Sequence, residues 1–289
     1  IKGEKARGDH MTKIAVLSDI HGNTTALKAV LDDARRLEVD EYWLLGDILM
    51  PGTGRKNILE LLSTLPITAQ VLGNWEYSLW RACHRKLDET KPSLRYLLRQ
   101  CQYIMEEVSV EEIEALQEYP LQTHRQYGNL TVGISHHLPD KNWGRELIHL
   151  GKQEDFDRLV VDPDCDIAVY GHIHQQFLRY ASGGQLILNP GSIGQPFFLS
   201  DKLRKDLRAQ YMILEFDEQG LKDVDFRRVE YDVEKELQLA KDLNLPYYQV
   251  YYESLVNGIH HTHNQDFLHE IAQDQGHDAE LDDWLSSNY

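Results

Sequence analysis

What most constrains this chain is a repeated arrangement in its first 74 residues: a short apolar, β-branched run that stops at a polar pair. Residues 13–17 lead into Ser18-Asp19-Ile20-His21-Gly22-Asn23. A run of that length and composition reads as a buried strand. Behind it, Ala26, Leu27, Val30, Leu31, Ala34 and Leu37 recur at the spacing of a helix face. Residues 42–45 then run into Gly46-Asp47, and a loop with Pro51, Gly52 and Gly54 precedes a short helix over 57–62. A third strand over 67–72 ends at Gly73-Asn74. Strand, helix, strand, helix, strand describes βαβ units on a parallel sheet. In such sheets ligands gather outside the carboxyl ends of the strands, where all three polar pairs fall. Side chains two apart on an extended segment point the same way, so Asp19 and His21 are expected to face one spot.

The later chain reads differently. Residues 77–118 are rich in Leu, Arg, Glu and Gln and predict two or three helices inserted beside the strand ends. Strands are expected over 121–126, 130–135, 167–170, 185–188, 211–216 and 224–230, with a helix over 156–161. Hairpin turns are expected at Gly183-Gly184 and Glu218-Gln219-Gly220. From Val233 the chain turns polar and helical: 234–243, a break at Pro246, then 247–256 ending at Gly258. Tyr247, Tyr248, Tyr251 and Tyr252 are expected to form the buried face of that second helix. The last thirty residues are acidic, read as a helix on the core or a partly ordered tail. The expected assembly is α/β, two sheets packed face to face with helices outside. Residues 1–10 read as expression-vector residue ahead of a natural start at Met11. Residues 11–232 are expected to form the core, with 77–118 as its helical insertion, and 233–289 a C-terminal helical extension.

Composition narrows the function. A formal charge of −17 argues against the phosphate-backbone grip that long nucleic acids require, yet leaves room for a small phosphorylated substrate. No apolar stretch approaches the roughly 20 residues of a membrane helix. Cys83, Cys101 and Cys165 are odd in number and scattered, which fits reduced packing thiols in a cytoplasmic protein.

The side chains at the strand ends carry chemistry when taken together: Asp19, His21, Asp47, Asn74, His136, His172 and His174. They are oxygen and imidazole donors without a thiolate, a set that suits Mn, Fe, Zn or similar ions rather than a structural zinc cage. Seven are too many for one ion with an open position. They suit two ions about 3.5–4 Å apart that share a bridging carboxylate.

In order, Asp19-Ile20-His21, Gly46-Asp47, Gly73-Asn74-Trp75-Glu76, His136-His137 and Gly171-His172-Ile173-His174 resemble the motif blocks of the calcineurin-like metallophosphoesterases. Asn189-Pro190-Gly191-Ser192-Ile193-Gly194-Gln195-Pro196 is similar to the small bacterial phosphodiesterase branch of that family, and the resemblance spans residues 13–230. It implies a four-layer αββα sandwich of two mixed sheets. It implies that Asp19, His21 and His174 hold one metal and Asn74, His136 and His172 the other, with Asp47 bridging. The expected ions are Mn and/or Fe, with Zn or Ni also compatible. A bridging hydroxide would attack phosphorus, with Asn74 and the metals stabilising the charge that builds.

Two departures from the family pattern shape the expected substrate. Trp75 stands where the family has a histidine thought to protonate the leaving group, a loss of about 10²–10⁴ in rate when that group is a poor alkoxide. A nucleoside phosphate or an aryl oxide leaves without such help. Phosphodiesters and nucleotide phosphoanhydrides, such as nucleoside triphosphates and dinucleoside polyphosphates, are therefore expected. Trp75 either contacts substrate, by its N–H or by stacking a base at roughly 1–3 kcal/mol, or packs into the vacated space. His137 replaces the usual glycine, either narrowing the pocket or donating to phosphate. Asn23 is a helix cap or a phosphate contact, and Glu76 a carboxylate at a helix start. Residues 189–196 either turn the chain or bring backbone near phosphate. His260, His261 and His263 read as a solvated tail. Two alternative readings are a phosphomonoesterase or protein phosphatase, and a non-catalytic scaffold on the same fold. Oligomeric state is left open.

Overall fold

The computed structural model describes residues 11–287, so the reading of residues 1–10 lies outside it. Strand β1 (Thr12–Leu17) pairs in parallel with β2 (Glu41–Leu44), and β2 with β3 (Ile67–Gln70). The connections are α1 (Thr24–Arg36) and α2 (Lys56–Ser63). Two strands from the far end of the chain, β9 (Ala209–Asp217) and β10 (Gly220–Val229), complete this sheet antiparallel, in the order β10-β9-β1-β2-β3. The second sheet runs β4-β5-β6-β8-β7, from β4 (Gln122–Tyr127), β5 (Leu130–Ser135), β6 (Ile167–Tyr170), β7 (Gln176–Tyr180) and β8 (Leu186–Pro190). Both sheets are mixed.

Alternation along β1 shows how the layers stack. Ile14 and Val16 join Trp43, Val132, Ile134, Val169, Leu188 and Met212 between the sheets. Ala15 and Leu17 face the opposite way, into a cluster with Leu27, Val30 and Leu31 of α1. Strand β1 is buried on both faces, which is why it reads as an unbroken apolar run. On the outer face of the second sheet, Ala168, Tyr170 and Ile187 pack with Phe156 of α6 (Gln153–Asp157). The layers are helix, sheet, sheet, helix, as expected.

Edges and lengths differ from expectation where local pattern is weak. Strand β7 is absent from the sequence reading because Gln176, Phe177, Leu178, Arg179 and Tyr180 lack the burial of a central strand; it is an edge strand. The helix expected over 156–161 is the one-turn α6 followed by a 3₁₀ turn, Arg158–Val160. Three helices fill the inserted region, α3 (Asn74–Cys83), α4 (Pro92–Met105) and α5 (Val110–Leu116), and the first begins at Asn74 itself, inside the candidate centre.

The C-terminal part continues with α7 (Val233–Asp242), α8 (Tyr248–Tyr252), a π-helical turn over Glu253–Asn257, α9 (Gln265–Gln275) and α10 (His277–Ser287). The last thirty residues therefore form two helices as far as Ser287. Of the four tyrosines expected on one buried face, Tyr247 and Tyr251 are buried and Tyr248 and Tyr252 half-buried. Among the described residues no helix is long and apolar enough to cross a membrane.

Candidate metal centre

Strand β1 ends at Leu17, and the chain turns rather than staying extended. Asp19 and His21 both adopt the left-handed backbone region, at φ 52° and 50°. Asp47, His172 and His174 do the same, at 54°, 66° and 59°. Five of the seven predicted ligands thus sit where non-glycine residues are uncommon, each at a cost of about 1–3 kcal/mol. Such strain persists only where surrounding bonds over-determine it. Here Asp19 N–H donates to Gly46 O at 3.1 Å, and His21 N–H to Asp47 O at 2.9 Å. The chain bends sharply at Gly46, with φ 92°, and a Cβ there would lie 2.5 Å from the Gly73 nitrogen. That close approach of two strand ends explains both glycines in the Gly-Asp and Gly-Asn pairs.

All four expected imidazoles share one arrangement. His21 Nδ1 pairs with Met50 O at 2.9 Å, His136 Nδ1 with Leu45 O at 2.6 Å, His172 Nε2 with Gly144 O at 2.9 Å and His174 Nδ1 with Gln195 O at 2.7 Å. A carbonyl only accepts, so each of these nitrogens carries the proton and the other ring nitrogen is left as a donor to a cation. Those inner nitrogens face one another in pairs: His21 Nε2 to His174 Nε2 at 3.1 Å, and His136 Nε2 to His172 Nδ1 at 3.3 Å. Two facing lone pairs repel unless a proton or a cation stands between them.

The carboxylates complete two groups, Asp19/His21/His174 and Asp47/His136/His172. Asp19 Oδ2 accepts from the His172 N–H at 3.0 Å, while its Oδ1 is buried, makes no hydrogen bond and lies 3.1 Å from His174 Nε2. Asp47 Oδ1 accepts the Trp75 N–H at the start of α3 at 2.8 Å. Its Oδ2 lies 3.7 Å from His21 Nε2 and 3.5 Å from His136 Nε2, between the two groups. Asn74 Oδ1 lies 3.0 Å from His136 Nε2. The seven expected ligands are brought together. The orphaned Asp19 oxygen, the paired inner nitrogens and the hard donor set fit two divalent cations.

Protonation follows the same logic. Burial alone would lower every imidazole here, but Asp47 and Asp19 outweigh it at His136, holding it up to about 10, and Asp19 raises His174. Their partners go the other way: burial, reinforced by the neighbouring cation, takes His21 down to about 4 and His172 to about 3. In each facing pair the carboxylates raise one imidazole while burial lowers the other, so positive charge is favoured at the place a metal ion would take.

Of three further residues, Asn23 takes one of its two expected roles, and His137 and Glu76 have roles other than those expected. Asn23 is fully buried: its Oδ1 caps α1 at Ala26 N–H, 2.9 Å, and its amide nitrogen donates to Tyr231 Oη at 3.2 Å. It is the helix cap, and the phosphate contact falls away. His137 is buried behind His172, at a ring separation of 4.9 Å, with Nε2 on Glu146 Oε2 at 3.1 Å. It braces a loop and reaches no cleft, because neighbouring strand-end residues point to opposite sides. Glu76 is more than a charge at a helix start. It is buried and accepts the backbone N–H groups of Asp47 at 2.9 Å and Ile48 at 2.6 Å, holding the strained turn of the bridging carboxylate.

Residues 189–196 turn the chain and brace the centre. Asn189 donates to Gly171 O at 2.7 Å and Ser192 Oγ to Asp19 O at 2.8 Å. Trp75 is half-buried, edge-on to His21 at 5.5 Å, and lines an open cleft of about 1230 Å³. His260 is not part of a solvated tail. It lies instead in the cleft wall, its ring 6.2 Å from His174 and 6.0 Å from Phe197. No local signal could have placed it there, since its position depends on how the C-terminal helices dock.

A fold of two mixed sheets with two adjacent candidate cation sites at the strand ends matches a metallophosphoesterase architecture, and comparison with known proteins agrees. Residues 12–219 match the calcineurin-like phosphoesterase superfamily domain, and the chain belongs to that superfamily. An uncharacterized protein of Methanocaldococcus jannaschii is 29% identical over 251 residues, covering 81% of this chain and 93% of its own. Among solved structures, a hypothetical protein of Pyrococcus horikoshii OT3 superposes with a TM-score of 0.69 at 20% identity, covering 86% of this chain and 99% of that one. A metallophosphoesterase from Sphaerobacter thermophilus gives 0.61 at 24% identity, covering 86% and 100%.

Proposed function

We propose that this protein hydrolyses phosphodiesters and nucleotide phosphoanhydrides, nucleoside triphosphates and dinucleoside polyphosphates among them, with two metal ions bound. Asp19, His21 and His174 would hold one ion, and Asn74, His136 and His172 the other, with Asp47 between them. Mn and Fe suit this donor set, and Zn or Ni is compatible with it. Two such ions, when bound, supply Lewis acidity toward a phosphoryl group and an acidified water. The observation that carries the reading is the Asp47 carboxylate: one oxygen is anchored by the Trp75 N–H, and the other is equidistant, within 0.2 Å, from an imidazole of each group.

The protein's own groups divide the remaining work. The four backbone carbonyls fix the ring orientations, so the metal-facing nitrogens need no reorganisation when substrate arrives. Asn74 stands at the first position of α3, where its amide and the helix N-terminus favour negative charge on a phosphoryl oxygen. Trp75 offers a face and an N–H beside the Asp19 group but no acid, which favours leaving groups stable as anions. Cys83, Cys101 and Cys165 are free thiols, and we place the protein in the cytoplasm.

The test is a panel of an aryl phosphodiester, nucleoside triphosphates, a dinucleoside polyphosphate and an alkyl monoester, assayed with Mn and again with chelator. Mn-dependent turnover of the diester and anhydrides is expected, with the alkyl monoester slowest. Asp47→Ala should abolish measurable turnover and reduce bound metal below two ions per chain. Metal-independent turnover, or no turnover by a protein that binds two Mn ions, defeats the proposal.

A further inference from the structure

Resting on that reading of the centre, we infer that Trp143 and Arg145 form a second substrate station. Trp143 stacks an aromatic base, and Arg145 pairs with a phosphate beyond the one that reacts. Both lie in the connection between β5 and α6, which carries no helix yet is pinned along its length. Asn142 donates to Gly73 O at 2.8 Å, His137 and Lys141 both hold the Glu146 carboxylate, and Tyr170 Oη donates to Leu147 O at 3.1 Å. Leu138 and Leu147 are buried on either side. Gly144, between the two residues, supplies the carbonyl that orients His172.

From this pinned loop Trp143 stands 60% exposed at the cleft, and Arg145, also exposed, has no hydrogen bond or ion pair among the described residues. A single exposed indole on a protein surface needs no explanation. An indole and an unpaired guanidinium held out together by a loop that also fixes a metal ligand do need one, because binding residues are typically presented by loops on a rigid scaffold.

The cleft fits an extended anion. The chain is strongly acidic, yet Arg81 and Arg145 line the cleft, and Glu146, the carboxylate that lines it outside the candidate centre among the described residues, is paired with Lys141. At about 1230 Å³ it exceeds the roughly 300–1,000 Å³ of a site for one small ligand. The two indoles serve different ends: Trp75 leans on His21, and Trp143 adjoins the residue that holds His172. The geometry suits a nucleoside oligophosphate lying across both groups, with a base on the Trp143 side.

The experiment measures equilibrium binding of a non-hydrolysable, methylene-bridged analogue of diadenosine tetraphosphate and of inorganic phosphate to the Mn-loaded full chain, for wild type, W143A, W143F and R145A. The Kd for the dinucleotide relative to that for phosphate should rise about tenfold in W143A, within the range for loss of a stacked base. It should return most of the way in W143F and rise severalfold in R145A, more at low salt. Ratios within twofold of wild type in both W143A and R145A overturn the inference, as does a wild type that binds the dinucleotide no better than phosphate. Arg145 is exposed, so R145A decides the matter if W143A does not fold. Because binding is read apart from turnover, a wild type that binds as expected but hydrolyses nothing defeats the phosphoesterase reading and leaves the station standing.

Discussion

The strand-end loops that carry the centre and the C-terminal helices, whose connecting loop over 258–264 forms part of its wall, are held by different means. Around Asp19, Asp47 and His172 the holding contacts run through backbone groups: carbonyls on imidazoles, N–H groups on the Asp19 and Glu76 carboxylates, glycines where two strand ends nearly touch. Helices α7–α10 are held by side chains. Tyr96 of α4 packs with Tyr247, Val250, Leu268 and Ile271, and Arg95 reaches Asp278 and Asp282 of α10. Backbone braces demand particular residues at particular spacings, whereas side-chain packing accepts many sequences of similar volume. The first region is therefore rigid and specific, and the second is adaptable.

The hinge between them is Glu236 of α7. It is fully buried and its carboxylate collects four donors: the Thr25 N–H at 3.0 Å, the hydroxyl of Thr25, Thr53 Oγ at 2.7 Å and Tyr251 Oη at 2.9 Å. One side chain thus ties α7 and α8 to the N-terminus of α1. Glu236→Ala strands those donors and is expected to cost on the order of 3 kcal/mol, the largest stability effect proposed for a residue outside the centre. Glu236→Gln should lose about half as much. Chemical denaturation reads the cost, and amide exchange should show α8–α10 opening before the sheets. An unchanged unfolding midpoint in E236A would mean the helices are held elsewhere.

Trp75 is where the two regions meet, since its ring packs against both the α1-side core and the Tyr96–Tyr247 cluster. Trp75→His places an imidazole beside His21 at the point where related enzymes carry one. Under the proposed function, turnover of an alkyl monoester should then rise relative to a nucleotide anhydride by about 10²-fold, the lower bound for a positioned general acid. The same change removes packing shared by both regions, so a lowered melting temperature should accompany it. An unmoved substrate preference would show that the tryptophan only fills space and that leaving-group protonation does not govern selectivity here.

The contrast also accounts for what could be read in advance. Each ligand lies just beyond a strand end, and five of the seven sit in the left-handed region themselves, so much of the motif is written locally: Gly46-Asp47 announces its own geometry. Asn23 was ambiguous because a cap and an anion contact use the same amide, and only Tyr231, 208 residues later, consumes its other end. His260 and Trp143 were illegible for a different reason. Neither sits in a periodic element, and each reaches the cleft through the docking of a loop or helix whose partners are far away in sequence. Edge strand β7 failed on burial, since half-exposed positions carry little apolar pattern.

The weakest effect expected concerns a second buried carboxylate, Asp33 of α1, which anchors that helix to the edge of the first sheet. It accepts from Tyr211 Oη at 2.7 Å, Arg227 Nε at 2.8 Å and Arg36 at 2.9 Å. Burial alone would raise its carboxyl, but these hydrogen bonds outweigh it and hold the group below the usual carboxylate range. A carboxyl whose value is lower in the folded protein binds its proton more readily when unfolded. Its contribution is therefore complete above the unfolded value near 4 and is lost as the pH falls further. Asp33→Asn keeps one acceptor and gives up the charge, at a cost of about 1 kcal/mol near neutral pH. The gap in denaturation midpoint between wild type and D33N should be widest at pH 6–7 and should close as acid protonates the wild-type carboxyl below pH 4. Unlike Glu236, Asp33 makes no hydrogen bond or ion pair to α7–α10 among the described residues, so D33N should leave their amide exchange as it is. A D33N that loosened those helices first would erase the distinction between the two regions.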